Sequence, residues 1–148
     1  MMSRRDAFVA NFRELHPKFS RMYSLMLNRI GLSLPQYTLL YQLMLSGTVS
    51  MSEISNHLGI TKPAVTNLVD RLEEKKFLKR VPHPKDRRVI LLEILPKGEK
   101  VIAEIQGRGL EFLLRAYDQF NASEHEVIVR FYATLSGIFD AVLNQKGN

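Results

Sequence analysis

A helix stop and a helix start stand two residues apart in this chain, at Gly59 and Thr61, and they constrain its fold more than any other feature. Upstream, the segment SMSE at 50–53 is typical of a capping box, in which serine and glutamate each satisfy a backbone N–H group. The glycine suits the left-handed position after a helix, and Thr61 suits a new N-cap with Pro63 in the first turn. The pattern predicts a short helix over 51–58, a tight turn and a second helix.

The second helix has an apolar face and a polar face. At 100° per residue, one face collects the apolar positions Val65, Leu68, Val69 and Leu72. The opposite face centres on Pro63, Asn67 and Asp70, with Thr66 and Arg71 at its flanks. The apolar face is expected to pack on a core, so the polar face is expected to point outward. Asp70 would repel a phosphate there unless it were paired, and Arg71 or Lys62 are the candidate partners.

Two β-like runs follow at 77–81 and 89–94, joined by the segment HPKDRR at 83–88. Pro82 and Pro84 have no N–H to donate, so they cannot continue a central ladder of strand hydrogen bonds. The segment is therefore predicted at the protruding tip of a β-hairpin. Its charges are either those of an ordinary solvated turn or are directed at an acidic partner.

The charge of the chain is concentrated around these elements. The whole sequence has 21 Lys and Arg against 15 Asp and Glu, a net charge of +6. Residues 61–88 alone contain nine basic and four acidic side chains, which leaves +5 in that segment. A basic excess confined to one region is the expected signature of a surface that binds phosphate groups.

Long helices are predicted on both sides of this region. Apolar residues from Phe8 to Met26 recur at spacings of four and three, which indicates an amphipathic helix that Pro17 either kinks or splits in two. Capping boxes at 33–36 and 123–126 open helices that reach about Leu45 and Asn144, and a further helix is predicted over 96–120. The apolar seams of the first and last helices exceed what one small domain needs for its own core, so a two-fold homodimer is expected.

Other residues leave alternatives open. Gly107 and Gly109 indicate either close packing against another helix or space for a ligand. Tyr23, Tyr37 and Tyr41 either belong to the core or line an effector pocket. The methionines at 22, 26, 44 and 51 favour adaptable core packing. No two of the four histidines, at 16, 57, 83 and 125, lie one helical turn apart on one face, which disfavours a metal site.

Several functional classes are excluded by what the sequence lacks. It has no cysteine, so disulfides and cysteine-ligated zinc are excluded. No apolar stretch approaches 18 residues and no secretory signal is recognisable, so we expect a cytoplasmic protein without a membrane span. Phosphate-cradling loops, nucleophile elbows and metalloprotease motifs are absent, so neither an enzyme nor a bound cofactor is expected.

A short helix, a turn, a second helix and a basic hairpin together predict a mainly α fold with a small β-hairpin wing, the winged helix-turn-helix. In this architecture the second helix fits the DNA major groove, and the hairpin reaches the backbone or the minor groove. The alternative is a winged helix that serves protein–protein contact without specific DNA binding, since a fold does not determine a function.

The sequence resembles the MarR family of transcriptional regulators. The resemblance is carried by residues 50–80 and 83–99, above all by the run from Leu72 to Arg80 and the following Asp-Arg-Arg, and the order of elements matches from about Asp6 to Asn144. It implies one domain over 1–148, with dimerisation helices at 6–30 and 96–146 and a DNA-binding winged region at 33–95. It further implies an obligate homodimer on a palindromic operator, commonly a repressor released by a small phenolic or other aromatic ligand.

The resemblance also assigns roles to residues. Lys62, Pro63, Thr66 and Asn67 would lie in the major groove, with Arg71 beside them. Arg88 would enter the minor groove, oriented by Asp86, while Lys85 and Arg87 would lie near the sugar-phosphate backbone. The chain departs from the family where many relatives have arginine in place of Asn67, because asparagine pairs with adenine and arginine with guanine. It also has Ile94-Leu95 in place of the usual Leu-Thr, which removes a helix cap worth about 1 kcal/mol.

Overall fold

The computed structural model describes residues 3–144, and it is mainly helical with one small antiparallel sheet. In chain order the elements are α1 Arg4–Arg29, α2 Leu34–Ser46, β1 Val49–Ser50, α3 Met51–Leu58, α4 Lys62–Glu74, β2 Leu78–Pro82, β3 Ile90–Ile94, α5 Pro96–Tyr117 and α6 Ala122–Asn144. The predicted fold class, mainly α with a β-hairpin wing, is therefore confirmed. Residues 145 and 146 of the predicted last dimerisation segment lie outside the described residues.

The predicted helix-turn-helix is confirmed with its capping chemistry. Ser50 and Glu53 form both hydrogen bonds of a capping box, and Gly59 adopts the left-handed conformation with φ 63° and ψ 32°. The Thr61 side chain then accepts a hydrogen bond from the N–H of Ala64 at 3.4 Å. Because these local contacts satisfy the exposed helix ends, α3 and α4 begin where their caps predict.

Pro17 does not split the first helix. α1 runs without interruption from Arg4 to Arg29, so the alternative of two short helices is wrong. Its start is a further capping box, in which Ser3 and Asp6 exchange hydrogen bonds between side chain and backbone. Twelve helical residues lie C-terminal to the proline, which is enough chain to continue the helix despite one missing backbone hydrogen bond.

The last helix begins two residues earlier than predicted, because another residue caps it. The Asn121 side chain accepts hydrogen bonds from the N–H groups of Ser123 at 3.0 Å and Glu124 at 3.2 Å. Glu124 reciprocates by accepting the N–H of Asn121 at 2.8 Å. The pattern Asn-x-x-Glu at 121–124 thus prevails over Ser-x-x-Glu at 123–126, since asparagine caps at least as well as serine. The preceding helix also ends earlier, at Tyr117 in place of 120.

The sheet has the order β1-β3-β2, so β3 is central and β2 is an edge strand. Pro82 is the last residue of β2 and pairs with Ile90, one position further than the predicted strand end. An edge strand accommodates proline because one side of its backbone needs no ladder partner. β1 was not predicted, since its two residues pair with distant Leu92 and Leu91 and show no periodicity of their own.

The chain divides into two compact units, the first ending at Gly107 and the second beginning at Arg108. The core of the first unit is formed by apolar side chains of the C-terminal part of α1, of α2, α3 and α4, of the sheet and of the first half of α5. Its fully buried members are Leu39, Leu40, Leu43, Ile54, Val65, Val69, Leu72, Leu78, Leu92 and Ile102. Burial of the apolar face of α4 leaves its polar face outward, as the sequence predicts.

A close backbone approach joins the wing to α5. The Leu95 N–H donates to the carbonyl of Phe77 at 2.9 Å, and the Leu95 carbonyl accepts the N–H groups of Gly98 at 2.8 Å and Glu99 at 3.0 Å. Gly98 is buried, and a Cβ added there would lie 2.2 Å from the Phe77 carbonyl oxygen. The junction between β3 and α5 lacks the threonine cap usual in the family, and it is packed so closely at Gly98 that only glycine fits there.

The second unit differs from the first in the exposure of its apolar side chains. The ring of His125 stacks on Tyr117 with centroids 3.9 Å apart, and its Nε2 lies 2.9 Å from the Tyr117 carbonyl oxygen. No large apolar side chain among residues 108–143 is buried, although the segment is rich in leucine, isoleucine, valine and phenylalanine. At Gly107, the last residue of the first unit, an added Cβ would meet nothing within 4 Å, so packing within the described chain does not require that glycine.

Candidate nucleic-acid interface

The outward face of α4 presents the side chains that the sequence assigned to it. Lys62, Pro63, Thr66, Asn67 and Arg71 are all exposed, while Val65 and Val69 between them are fully buried. The Thr66 hydroxyl donates to the carbonyl of Lys62 at 3.1 Å, within the helix. The Asn67 amide makes no hydrogen bond within the described part of the chain, so both of its polar groups are available to a ligand.

The wing tip is a compact loop with its cations outward. Lys85 and Arg87 are exposed, and the Arg88 side chain is 92% exposed. The half-buried Asp86 carboxylate accepts the backbone N–H of Arg88 at 3.0 Å and its side-chain Nε at 3.3 Å. The acid expected to orient Arg88 therefore contacts it in the free protein.

Asp70 has a partner, but neither of the two that the sequence suggested. Its Oδ1 lies 2.6 Å from Nη2 of Arg80, and the same guanidinium bonds the Glu73 carboxylate through Nη1. The Arg80 backbone N–H also donates to Glu73, at 3.1 Å. The expected pairing of Asp70 with Arg71 or Lys62 is wrong because both of those cations point to solvent.

Arg80 fastens β2 to the C-terminal half of α4. Burial opposes its charge, but the hydrogen bonds and charges of Asp70 and Glu73 outweigh burial, so the pKa of Arg80 is raised above its ordinary value. It is charged at every physiological pH and offsets both acids, of which Asp70 lies on the outward face of α4. Sequence reasoning missed this residue, although strand alternation places it on the same side of β2 as buried Leu78.

Ion pairing removes part of the basic excess from the surface. Lys79 pairs with Glu93 across the sheet at 3.0 Å, Arg80 with two acids, and the Lys75 ammonium donates to the carbonyl of Gly31. Within residues 61–88, which the structure describes in full, the cations without a carboxylate or backbone partner are Lys62, Arg71, Lys76, Lys85 and Arg87. Four of these five are residues assigned to the DNA-binding surface.

The structure gives less support to the other candidate sites that the sequence suggested. Tyr23, Tyr37 and Tyr41 are half-buried and pack against the core, and the rings of the latter two stack with centroids 6.0 Å apart. Burial, followed by the neighbouring tyrosines, raises the pKa of Tyr37. Among the described residues no group of acids and histidines could hold a metal ion. In the same part of the chain, no helix is long and apolar enough to cross a membrane.

The sequence of the chain is similar to those of known transcriptional regulators. A model of the MarR family matches residues 30–89, which cover the helix-turn-helix and most of the wing. The chain is 31% identical to the HTH-type transcriptional regulator YsmB of Bacillus subtilis over 98 residues, 66% of this chain and 67% of that protein. It is 27% identical to the HTH-type transcriptional repressor MdtR of Bacillus subtilis over 139 residues, 94% of this chain and 86% of that protein.

A solved structure agrees over almost the full length. The transcriptional regulator Tm0710 from Thermotoga maritima superposes with a TM-score of 0.73 at 28% identity, and the match covers 93% of this chain and 97% of that one. The agreement includes the helices on both sides of the region that the family model matches. With its capped helix-turn-helix and three-stranded wing, the chain belongs to the MarR family of HTH-type transcriptional regulators.

Proposed function

We propose that the protein is a sequence-specific double-stranded DNA-binding repressor that acts as a homodimer on a palindromic operator. The observation that carries the proposal is the shared exposure of two sets of residues. The polar face of α4 and the cations of the wing tip are all exposed to solvent, while the opposite face of α4 is buried in the core.

The roles of individual residues follow from the geometry of DNA. The major groove, about 12 Å wide, admits a helix, so Lys62, Pro63, Thr66 and Asn67 at the start of α4 would meet base edges. Arg71, one turn further along, would contact a phosphate. Lys85 and Arg87 would lie beside the sugar-phosphate backbone, and Arg88 would enter the minor groove, where a narrow groove concentrates negative potential.

Replacement of Arg88 with alanine tests the wing contact. The variant should bind every duplex more weakly, and the slope of log affinity against log salt should become shallower by about one unit per lost phosphate contact. Electrophoretic mobility or fluorescence anisotropy over a range of salt concentrations provides the slope. Arg130→Ala, which removes the same charge from an exposed position on α6, should leave the slope unchanged. Equal slopes in wild type and Arg88→Ala would rule out the wing contact.

Replacement of Asn67 with alanine tests base recognition. An asparagine amide can pair with both N6 and N7 of adenine, so its loss should relax preference at one operator position by about 1–3 kcal/mol. Binding of all single-base variants of the operator to both proteins provides the comparison. Asn11→Ala, which removes the same side chain from an exposed position on α1, is the control. If the ranking and spacing of the base variants are the same with and without the amide, Asn67 does not read sequence.

The homodimer is supported by the apolar surface of the second unit. Ile138, Val142 and Leu143 on α6 are each more than half exposed. Soluble monomers rarely expose large apolar patches, and a second copy of the chain is the partner that the proposed palindromic operator would require. Two winged regions related by such an axis would address half-sites about 34 Å apart, one turn of the duplex.

Recovery and sequencing of genomic fragments bound by the purified protein test the function as a whole. An inverted repeat that overlaps a promoter is expected for a repressor, the activity named for the relative MdtR. Release of these fragments by simple phenols, with no effect of saturated alcohols, is the expected sign of an aromatic effector, for which the stacked Tyr37 and Tyr41 are the proposed location. If no sequence is enriched and binding is insensitive to salt, the fold serves protein–protein contact instead.

A further inference from the structure

The wing loop is held from inside by a histidine that none of the proposed DNA contacts involves. Nδ1 of half-buried His83 accepts hydrogen bonds from two backbone N–H groups, those of Lys85 at 3.2 Å and Asp86 at 3.1 Å. An imidazole nitrogen accepts only when it carries no proton, so the neutral ring must have its hydrogen on Nε2. By accepting both N–H groups, the ring closes the loop around the His83 side chain.

The prolines on both sides of His83 explain why the loop uses a side chain for this purpose. Pro82 and Pro84 have no N–H groups and fixed φ angles, which limits the backbone bonds that can close the turn. Two backbone bonds remain at the base, from the His83 N–H to Val89 at 3.1 Å and from the Val89 N–H to Asp86 at 3.0 Å. The ring adds two more bonds at the tip, to the N–H groups of Lys85 and Asp86, which bond no backbone carbonyl within the described residues.

A chain of hydrogen bonds leads from this ring to the arginine of the wing. His83 holds the N–H of Asp86, and the Asp86 carboxylate holds both the N–H and Nε of Arg88. With its side chain 92% exposed, Arg88 gains no orientation from packing. A long side chain on an otherwise loose loop would lose its conformational freedom on binding, and this cost falls when the loop is ordered beforehand.

We propose that His83 is a positioning residue of the wing, which orders the loop through Nδ1 so that Asp86 can aim Arg88 at DNA. The inference rests on the proposed function, because it assigns His83 a share of DNA affinity that is expressed only through Arg88. His83 itself does not touch the nucleic acid in this scheme.

Three substitutions at this position separate the role of Nδ1 from that of the ring as a whole. In His83→Asn, the side-chain Oδ1 can take the place of the imidazole Nδ1. In His83→Gln, the longer side chain instead brings Oε1 to the place of Nε2. His83→Asn should therefore retain DNA affinity close to that of the wild type, while His83→Gln and His83→Ala should each lose about tenfold. Circular dichroism and thermal melting verify that every variant is folded.

A double-mutant cycle distinguishes positioning from a general structural role. If His83 acts through Arg88, then His83→Ala should weaken DNA binding in the wild type and have little further effect in the Arg88→Ala background. Additive losses, or equal losses in the asparagine and glutamine variants, would overturn the inference while leaving DNA binding established. A wild-type protein without salt-dependent DNA binding would overturn the proposed function and this inference together.

A measurement without DNA completes the test. Nitrogen-15 NMR of the histidine ring in the free wild-type protein should show an unprotonated Nδ1 and a protonated Nε2 for His83. Amide exchange at Lys85 and Asp86 should be slow in the wild type and in His83→Asn, and faster in His83→Gln. A ring with its proton on Nδ1 would contradict the proposed hydrogen bonds, whatever the DNA affinity.

Discussion

Alanine in place of Gly98 is expected to destabilise the protein by about 3 kcal/mol, the upper end of the cost of overpacking a core. The added Cβ would lie 2.2 Å from the Phe77 carbonyl oxygen and 3.0 Å from a side-chain carbon of Ile94. Real Cβ atoms do not approach that closely, so α5 or the start of β2 must shift. The obstacle is backbone, which cannot rotate away as the end of a flexible side chain would. Equilibrium unfolding in urea measures the loss.

Gly107 provides a matched control within the same helix. A Cβ at this exposed position would meet nothing within 4 Å, and alanine is the better helix former by about 1 kcal/mol. Gly107→Ala should therefore stabilise the protein slightly or leave it unchanged. Because unfolding of a dimer depends on concentration, all variants must be compared at one protein concentration.

The Gly98→Ala substitution should also weaken DNA binding, because it displaces the wing. The Leu95 N–H donates to the Phe77 carbonyl at the root of the wing, so displacement there tilts the hairpin relative to α4. The folded fraction of Gly98→Ala should bind DNA more weakly than Gly107→Ala. Equal stability of the two alanine variants would show that the close approach of Gly98 to Phe77 does not exist in solution.

Helix ends were the most predictable part of this structure. The caps Ser33, Ser50 and Thr61 all perform the predicted role, since a cap and its partner lie within one turn and depend little on the rest of the fold. Where two such signals overlapped, local chemistry alone could not choose, and Asn121 prevailed over Ser123. The short strand β1 was missed because only its distant partner Leu92 defines it.

The exposure of the candidate interface residues was predictable from the sequence, but the bonds among them were not. Exposure of Asn67 and Arg88 follows from helical periodicity and from the prolines of the hairpin. The link between Asp70 and Arg80 spans ten residues and joins two elements, so it depends on how β2 packs against α4. The sequence did contain one indication of this link, since an arginine on the inward side of a strand requires a carboxylate partner.

Glutamate at both Ile138 and Val142 is expected to convert the proposed dimer into a folded monomer. The two side chains lie one turn apart on α6 and are 54% and 53% exposed in the single chain, so a monomer can solvate both carboxylates. In an interface formed by this face, the same carboxylates would be buried without partners, at a cost of several kcal/mol. Sedimentation velocity should therefore show a monomer for Ile138→Glu/Val142→Glu.

Ala133→Glu is the matched control for the charge itself. Ala133 is exposed on the same helix but lies on the opposite side from Val142, nine residues away, so its carboxylate should not enter the interface. The control should sediment as the wild type does, and both variants should have the helical content of the wild type by circular dichroism. A double variant that sediments with the wild type would show that α6 does not hold the dimer together.

Loss of the dimer should reduce operator affinity more than loss of any single contact. When two winged regions are joined, the second binds at a high effective concentration, and this linkage contributes about 10²- to 10⁴-fold to affinity. The monomeric variant retains every residue of α4 and of the wing, so it should bind an isolated half-site as well as each subunit of the wild type does. Selective loss on the full palindrome, with half-site binding retained, would separate assembly from recognition, because only the first depends on the apolar face of α6.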